Sequence, residues 1–268
     1  MKFAMSCLDL PKPKSRIWRR GAVALALAAG VAFFATHVLP RWFPQVYASA
    51  WGAIGQPDPR GLPEALQDLP IVMADGHDPQ GPLVILISGN GGWWGLDDQI
   101  ASLLAKAGVT TVGLNSLAWF IQQRTPEETA AVIDRMVEAF DGKRKLALVG
   151  FSFGADVAAT VFAHLAPDLR ARIQLVSLIG LSRQADYAIG FWKVTDHREA
   201  TLSAVAAMAG PHVQCFRGLD EGQRSACNLV NPAKVEVVAL PGGHHFDGNY
   251  APLASHILYA LTDHVHRG

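Results

Sequence analysis

Five residues, Gly150-Phe151-Ser152-Phe153-Gly154, carry the clearest chemical signal in the chain. The apolar run Leu146-Ala147-Leu148-Val149 precedes them and the helix-forming run Ala155-Asp156-Val157-Ala158-Ala159 follows. G-x-S-x-G therefore falls where a strand gives way to a sharp turn and then a helix, the setting that exposes a nucleophilic serine. Glycines on both sides suit a tight turn pressed close to its neighbours. A serine hydroxyl is a weak nucleophile at neutral pH, so a base must take its proton and an acid must orient that base.

Both partners occur downstream, in the order serine, acid, histidine that belongs to the α/β-hydrolase fold. The stretch Leu240-Pro241-Gly242-Gly243-His244-His245-Phe246-Asp247-Gly248 follows the apolar run Val235 to Leu240. His245 is the expected base, because Gly-x-x-His followed by an aromatic suits that loop, and His244 is the alternative. The acid belongs after the preceding apolar run, where Gly218-Leu219-Asp220-Glu221 supplies two. Glu221, three past the glycine, has the commoner spacing; Asp220 is the alternative.

A developing oxyanion needs two backbone N–H donors. One is expected from Phe153. The other is expected from Asn90 or Gly91, in the loop Ser88-Gly89-Asn90-Gly91-Gly92-Trp93-Trp94-Gly95. No Lys-Ser/Thr follows those glycines, which excludes a phosphate-cradling loop. Trp93 and Trp94 are candidate walls, with Trp93 expected at the substrate. Asp156 and Asp247, and with them Asp97 and Asp98, are candidate contacts for a cationic group. Asp97 and Asp98 lie near the same mouth, but acids at a helix start are favoured without any ligand. No Cys-x-x-Cys or His-Glu-x-x-His spacing occurs, so neither a metal nor a cofactor is expected.

These residues need elements to position them. Strands are expected at Leu69 to Ala74, Leu83 to Ser88, Thr110 to Leu114, Leu146 to Gly150, Leu175 to Ile179, Val213 to Arg217 and Val235 to Leu240. Helices are expected at Leu96 to Ala107, Pro126 to Phe140, Ala155 to Ala166, Glu199 to Ala209 and Tyr250 to Val265. The alternation predicts an α/β fold with a mainly parallel sheet flanked by helices. Leu83-Val84-Ile85-Leu86-Ile87 is apolar throughout, as a strand covered on both faces requires. Thr125-Pro126-Glu127-Glu128 reads as a helix start, with a capping hydroxyl, a first-turn proline and two acids.

The chain has 268 residues, half of them apolar and 17% charged, which excludes a disordered chain or a coiled coil. Its net charge of zero gives no support to a nucleic-acid binder. That zero conceals a division. Residues 1–50 hold seven bases and one acid, leaving 16 bases and 22 acids in the remainder. Residues 1–20 form a basic segment, and residues 21–40 contain no Asp, Glu, Lys or Arg. A helix of that length spans roughly 30 Å, the thickness of a bilayer core.

The flanking bases predict a cytoplasmic start, a transmembrane signal anchor at 21–40 and an exported remainder. Ala48-Ser49-Ala50 resembles a cleavage site but lies well beyond the apolar run, so a retained anchor is favoured over a cleaved signal. Residues 41–68 read as a linker and 69–268 as the domain. Cys215 and Cys227 fall on the exported side, where a disulfide between them is expected.

Three blocks together resemble one family: Ser88-Gly89-Asn90-Gly91-Gly92-Trp93 with Leu96-Asp97, then Gly150 to Val157, then Pro241 to Gly248. They resemble the VirJ/AcvB family of virulence-associated periplasmic proteins, in its short VirJ-like form, over roughly Leu69 to Leu261. The resemblance implies an α/β-hydrolase in the periplasm, held at the inner membrane, that cleaves the aminoacyl ester of lysyl-phosphatidylglycerol or a similar lipid. In that role Ser152 would attack, His245 would act as base and then acid, and Phe153 with Asn90 would hold the oxyanion. The implied partners are an aminoacyl phospholipid and the membrane, with no nucleic acid. A general carboxylesterase or lipase, and a non-catalytic secretion accessory protein, are the competing readings. The aminoacyl group and the oligomeric state are not legible in the residues.

Overall fold

The computed structural model describes residues 61–140, 144–190 and 198–263. All of them belong to one compact unit, Ala48–Gly268. The basic start, the expected anchor and most of the expected linker lie outside the described residues. Among the described residues, no helix is long and apolar enough to cross a membrane.

Seven strands form the main sheet: β1 (Ile71–Ala74), β2 (Leu83–Ile87), β3 (Thr110–Leu114), β4 (Leu146–Phe151), β5 (Ile173–Ile179), β8 (His212–Gly218) and β9 (Val235–Leu240). Their order is β1-β3-β2-β4-β5-β8-β9. Only β1 runs antiparallel, against β3; every other pairing is parallel. Two short strands, β6 (Gln184–Asp186) and β7 (Arg198–Ala200), pair antiparallel apart from this sheet. All seven expected strands are present. The small β6–β7 pair was not expected, because three-residue strands carry no periodicity to read.

The sheet is covered on both faces, as the apolar run in β2 predicts. Leu83, Ile85 and Ile87 belong to one hydrophobic cluster and Val84 and Leu86 to the other. Helices α1 (Leu96–Lys106) and α7 (Ala251–Asp263) contribute to the second cluster, through Leu96, Ile100, Leu104, Leu253 and Ile257. Helices α3 (Pro126–Glu138) and α4 (Phe153–Val161) contribute to the first, through Ile133, Met136, Val157 and Val161. Three short helices complete the set among the described residues: α2 (Ser116–Phe120), α5 (Pro167–Arg172) and α6 (Thr201–Ala207).

The start of α3 is the one its sequence predicts. Thr125 Oγ1 accepts from the Glu128 N–H at 3.1 Å, and Glu128 Oε2 accepts from the Thr125 N–H at 2.8 Å. This reciprocal pair satisfies two otherwise free donors.

The chain joins the core slightly before residue 69. Leu62 and Leu66 are buried in the first cluster, and Asp68 accepts from Arg135 Nη2 at 2.7 Å. The last residues of the expected linker therefore pack on the domain.

The expected disulfide is present, joining Cys215 on β8 to Cys227, with Cα atoms 5.5 Å apart. Both cysteines are buried, and the closed loop contains Asp220 and Glu221. Cross-linking a loop of this size restrains the unfolded chain and contributes roughly 3 kcal/mol. Replacing Cys227 with Ser is expected to lower unfolding free energy by about 2–5 kcal/mol in denaturant titrations. Adding reductant to the variant should change nothing further.

Candidate active site

The loops that follow β2, β4, β8 and β9 meet at the carboxyl ends of their strands, where open α/β sheets bind ligands. Ser152 follows β4 directly and takes φ 53° and ψ −119°, a conformation that a non-glycine residue adopts only under constraint. Its N–H donates to the Ile179 carbonyl at 2.7 Å, and α4 starts at the next residue. The turn lies hard against β2. A Cβ on Gly154 would sit 2.0 Å from the Ile87 carbonyl oxygen, so only glycine fits there.

Ser152, His244 and Glu221 form a hydrogen-bonded chain. His244 Nε2 lies 2.8 Å from Ser152 Oγ, and His244 Nδ1 lies 2.8 Å from Glu221 Oε1. An ionised carboxylate only accepts, so Nδ1 carries the ring proton and Nε2 is left to accept from the serine hydroxyl. Glu221 Oε2 accepts from the Gly218 N–H at 2.8 Å, which fixes the carboxylate plane. Its side chain is largely withdrawn from solvent. The neighbouring Asp220 is exposed and contributes its backbone N–H to the Gly242 carbonyl instead.

The expected base requires a correction. His244 bridges serine and acid, and His245 does not. Phe246 is buried at 2% exposure, and the chain turns through positive φ at Phe246 and Asp247 to place it there. This leaves His245 exposed, with its ring edge-on to Phe151 at 5.3 Å. His244 is turned toward the elbow, where Gly180 makes room: a Cβ there would lie 2.6 Å from the imidazole Cε1.

A cavity of about 140 Å³ opens on the serine. Asn90 and Gly91 line it, with Trp94, Asp97, Phe151, His244 and Tyr250. The Gly92 N–H donates to the Gly89 carbonyl, curling the loop, while Ser116 donates its N–H to the Ser88 hydroxyl and its own hydroxyl to the Ser88 carbonyl, holding the loop's base. Phe153 opens α4, where a first-turn N–H has no helical partner. Its ring turns away to meet Phe120 edge-on at 5.0 Å, so only its backbone faces the serine side.

Three expected substrate contacts lie elsewhere. The Trp93 ring covers Gly113 of β3, occupying the space that a Cβ there would need, while the next residue, Trp94, stands exposed at the cavity. Asp156 is buried and both its oxygens are engaged, one by the Ser182 N–H at 2.7 Å and one by the Ser182 hydroxyl at 2.6 Å. Burial pushes its carboxyl up to about 6 despite those bonds and the nearby His244. Asp247 is exposed in the turn beside Gly242, outside the cavity lining.

Asp97 lies in the first turn of α1, as the helix-start reading has it, but it is also buried in the cavity wall. It is 2% exposed, it lines the cavity, and its Oδ1 has no hydrogen-bond partner. Burial pushes its carboxyl up to about 8, although the backbone N–H groups of Gly89 and Trp94 pull the other way. Tyr250, at the start of α7, was also missed; nothing in its spacing distinguishes a cavity wall from a core residue. No group of residues suited to a metal ion is found among the described residues.

This architecture is the α/β-hydrolase fold. The esterase domain of a Rhodothermus marinus protein superposes with a TM-score of 0.52 at 13% identity, covering 70% of this chain and 90% of that one. A putative dienelactone hydrolase from Klebsiella pneumoniae gives 0.51 at 14% identity, covering 71% of this chain and 91% of that one. A putative α/β-hydrolase from Agrobacterium tumefaciens gives 0.50 at 15% identity, with 73% and 90% covered. The family model described as bacterial virulence protein (VirJ) matches residues 82–265, and the chain belongs to that family. No curated protein matches it.

The raised Asp97 carboxyl has a thermodynamic consequence. Between 3.8 and about 8 the folded protein retains a proton that the unfolded chain has released, so stability falls as pH rises through that window. From about pH 6.5 to 8 the loss is on the order of 2 kcal/mol, above the range in which Asp156 contributes. Thermal unfolding across that range should show a falling Tm in the wild type and a flatter profile in Asp97→Asn.

Proposed function

We propose that the protein is a serine hydrolase that cleaves the aminoacyl ester of an aminoacyl-phosphatidylglycerol. The observation that carries the hydrolase reading is the continuous chain from Glu221 through His244 to the hydroxyl of a strained Ser152. VirJ membership supports the choice of substrate, through the resemblance to proteins that act on lysyl-phosphatidylglycerol. The disulfide supports an oxidising, exported compartment such as the periplasm. An anchor at residues 21–40 would hold the site beside its lipid and raise the local concentration of the ester.

In this mechanism Ser152 Oγ attacks the ester carbonyl carbon while His244 Nε2 takes its proton. Glu221 stabilises the imidazolium through Nδ1–H. The tetrahedral oxyanion is held by the Phe153 N–H and by the N–H of Asn90 or Gly91. Collapse breaks the bond to the ester oxygen of phosphatidylglycerol, which takes the proton from His244 and leaves as the free hydroxyl, with the aminoacyl group on Ser152. Water, activated by the same histidine, then releases the free amino acid.

Extracted lipids should report this directly. Expression of the wild type is expected to deplete lysyl- or alanyl-phosphatidylglycerol, and Ser152→Ala to leave it at the level of cells lacking the protein; equal depletion by both would remove Ser152 from the chemistry. With purified protein and aminoacyl lipid, His244→Ala is expected to reduce kcat by about a thousandfold or more, and His245→Ala by less than about tenfold. The reverse pattern would restore His245 as base. Turnover of simple acyl esters with no action on aminoacyl lipids would mark a general esterase.

A further inference from the structure

We infer that Asp97 is the specificity residue of this site: it receives the α-ammonium group of the substrate's aminoacyl moiety. The inference rests on the aminoacyl-ester reading above and names the group that reads it.

Asp97 is the one carboxylic acid among the described residues that line the cavity, the other titratable groups there being His244, His245 and Tyr250. Of the four acids expected near a cation, Asp156 is committed to Ser182, and Asp98 and Asp247 lie outside the lining, which leaves Asp97. A buried carboxyl oxygen with no partner costs stability, and such groups are rare unless a ligand completes them. Asp97 Oδ1 is in that condition. Apart from helix placement, nothing in the fold explains it.

The position suits an α-ammonium in particular. Asp97 is tied by the Gly89 and Trp94 backbones to the loop that carries Asn90 and Gly91. An ester whose carbonyl oxygen rests on that loop has its α-carbon one bond from the carbonyl carbon, so rotation about that bond can bring the attached nitrogen toward the same loop. An ammonium against Asp97 would supply the missing donor and hold the carboxylate ionised, a charge-assisted pair in a site shielded from water. Side-chain differences among aminoacyl groups then fall farther out, toward Trp94 and the cavity mouth. A simple fatty acyl ester would leave Asp97 unpaired, so the site rejects it through the same orphaned group.

Two substrate pairs in detergent micelles test this: lysyl- with 6-aminohexanoyl-phosphatidylglycerol, and alanyl- with propionyl-phosphatidylglycerol. Within each pair only the α-amino group differs. The wild type is expected to prefer the amino member by at least about tenfold in kcat/KM, and Asp97→Asn to reduce that ratio by at least about tenfold. The ratio is insensitive to a general loss of activity. If the preference persists in Asp97→Asn, the assignment of Asp97 is overturned and the aminoacyl-ester reading stands. If the wild type turns over both members equally, recognition of the α-ammonium is overturned while ester hydrolysis stands. If it turns over neither pair, both readings fall. A measurement on the wild type alone guards against a variant that does not fold. Alaninamide is expected to slow labelling of Ser152 by a fluorophosphonate where propionamide does not, and equal effects would overturn the inference.

Discussion

Everything at this site depends on one imidazole being held between a hydroxyl and a carboxylate. Ser152 and His244 are 92 residues apart in the chain, and His244 and Glu221 are 23 apart. No local propensity brings them together. The parallel register of β4, β5, β8 and β9 does so, by ending all four strands on the same side, so that the loops carrying serine, acid and histidine meet. The hydrogen bonds then select one tautomer of the imidazole, and with it the direction of proton transfer.

The surrounding structure keeps that geometry from relaxing. The elbow holds Ser152 in an unfavourable backbone conformation, worth about 1–3 kcal/mol, and persists because β4 and α4 are anchored in apolar clusters on both faces of the sheet. The acid is fixed twice: locally by the Gly218 N–H on its second oxygen, and more widely by the disulfide that closes its loop against β8. The loop after β2, rich in glycine, has few side chains of its own to pack. It is restrained instead by Ser88 and Ser116 at its start and by the buried Asp97 at its end. Asp97 would therefore join two roles under the inference above, tying down the loop and receiving the substrate's ammonium group from the cavity it lines.

Much of this was legible in the residues. Strands of continuous apolar character and a capped amphipathic helix are local signals, and all seven sheet strands lie where those signals put them. The positions of Ser152 and Glu221 in the hydrogen-bonded chain agree with their spacing, because a strand-turn-helix serine and an acid after a strand are set by short-range geometry. The choice between His244 and His245 was not local. It turns on which way the chain bends to bury Phe246, and that is decided by the core beneath the loop. Trp93 and Trp94, both candidate walls, are not separable in the sequence for the same reason: Trp94 lines the cavity while Trp93 packs on Gly113, a residue of a distant strand. Asp97 looked like any acid at a helix start, since burial of a carboxyl leaves no mark on its own neighbours in sequence.

The central claim is that Ser152 is an activated nucleophile with His244 as its base. Reaction of the folded protein with a fluorophosphonate, followed by peptide mass spectrometry, tests it most directly. The account predicts a single adduct on Ser152, formed rapidly in the wild type and in His245→Ala and lost in His244→Ala. An unmodified Ser152 in the wild type, or labelling that survives His244→Ala at an undiminished rate, would contradict it.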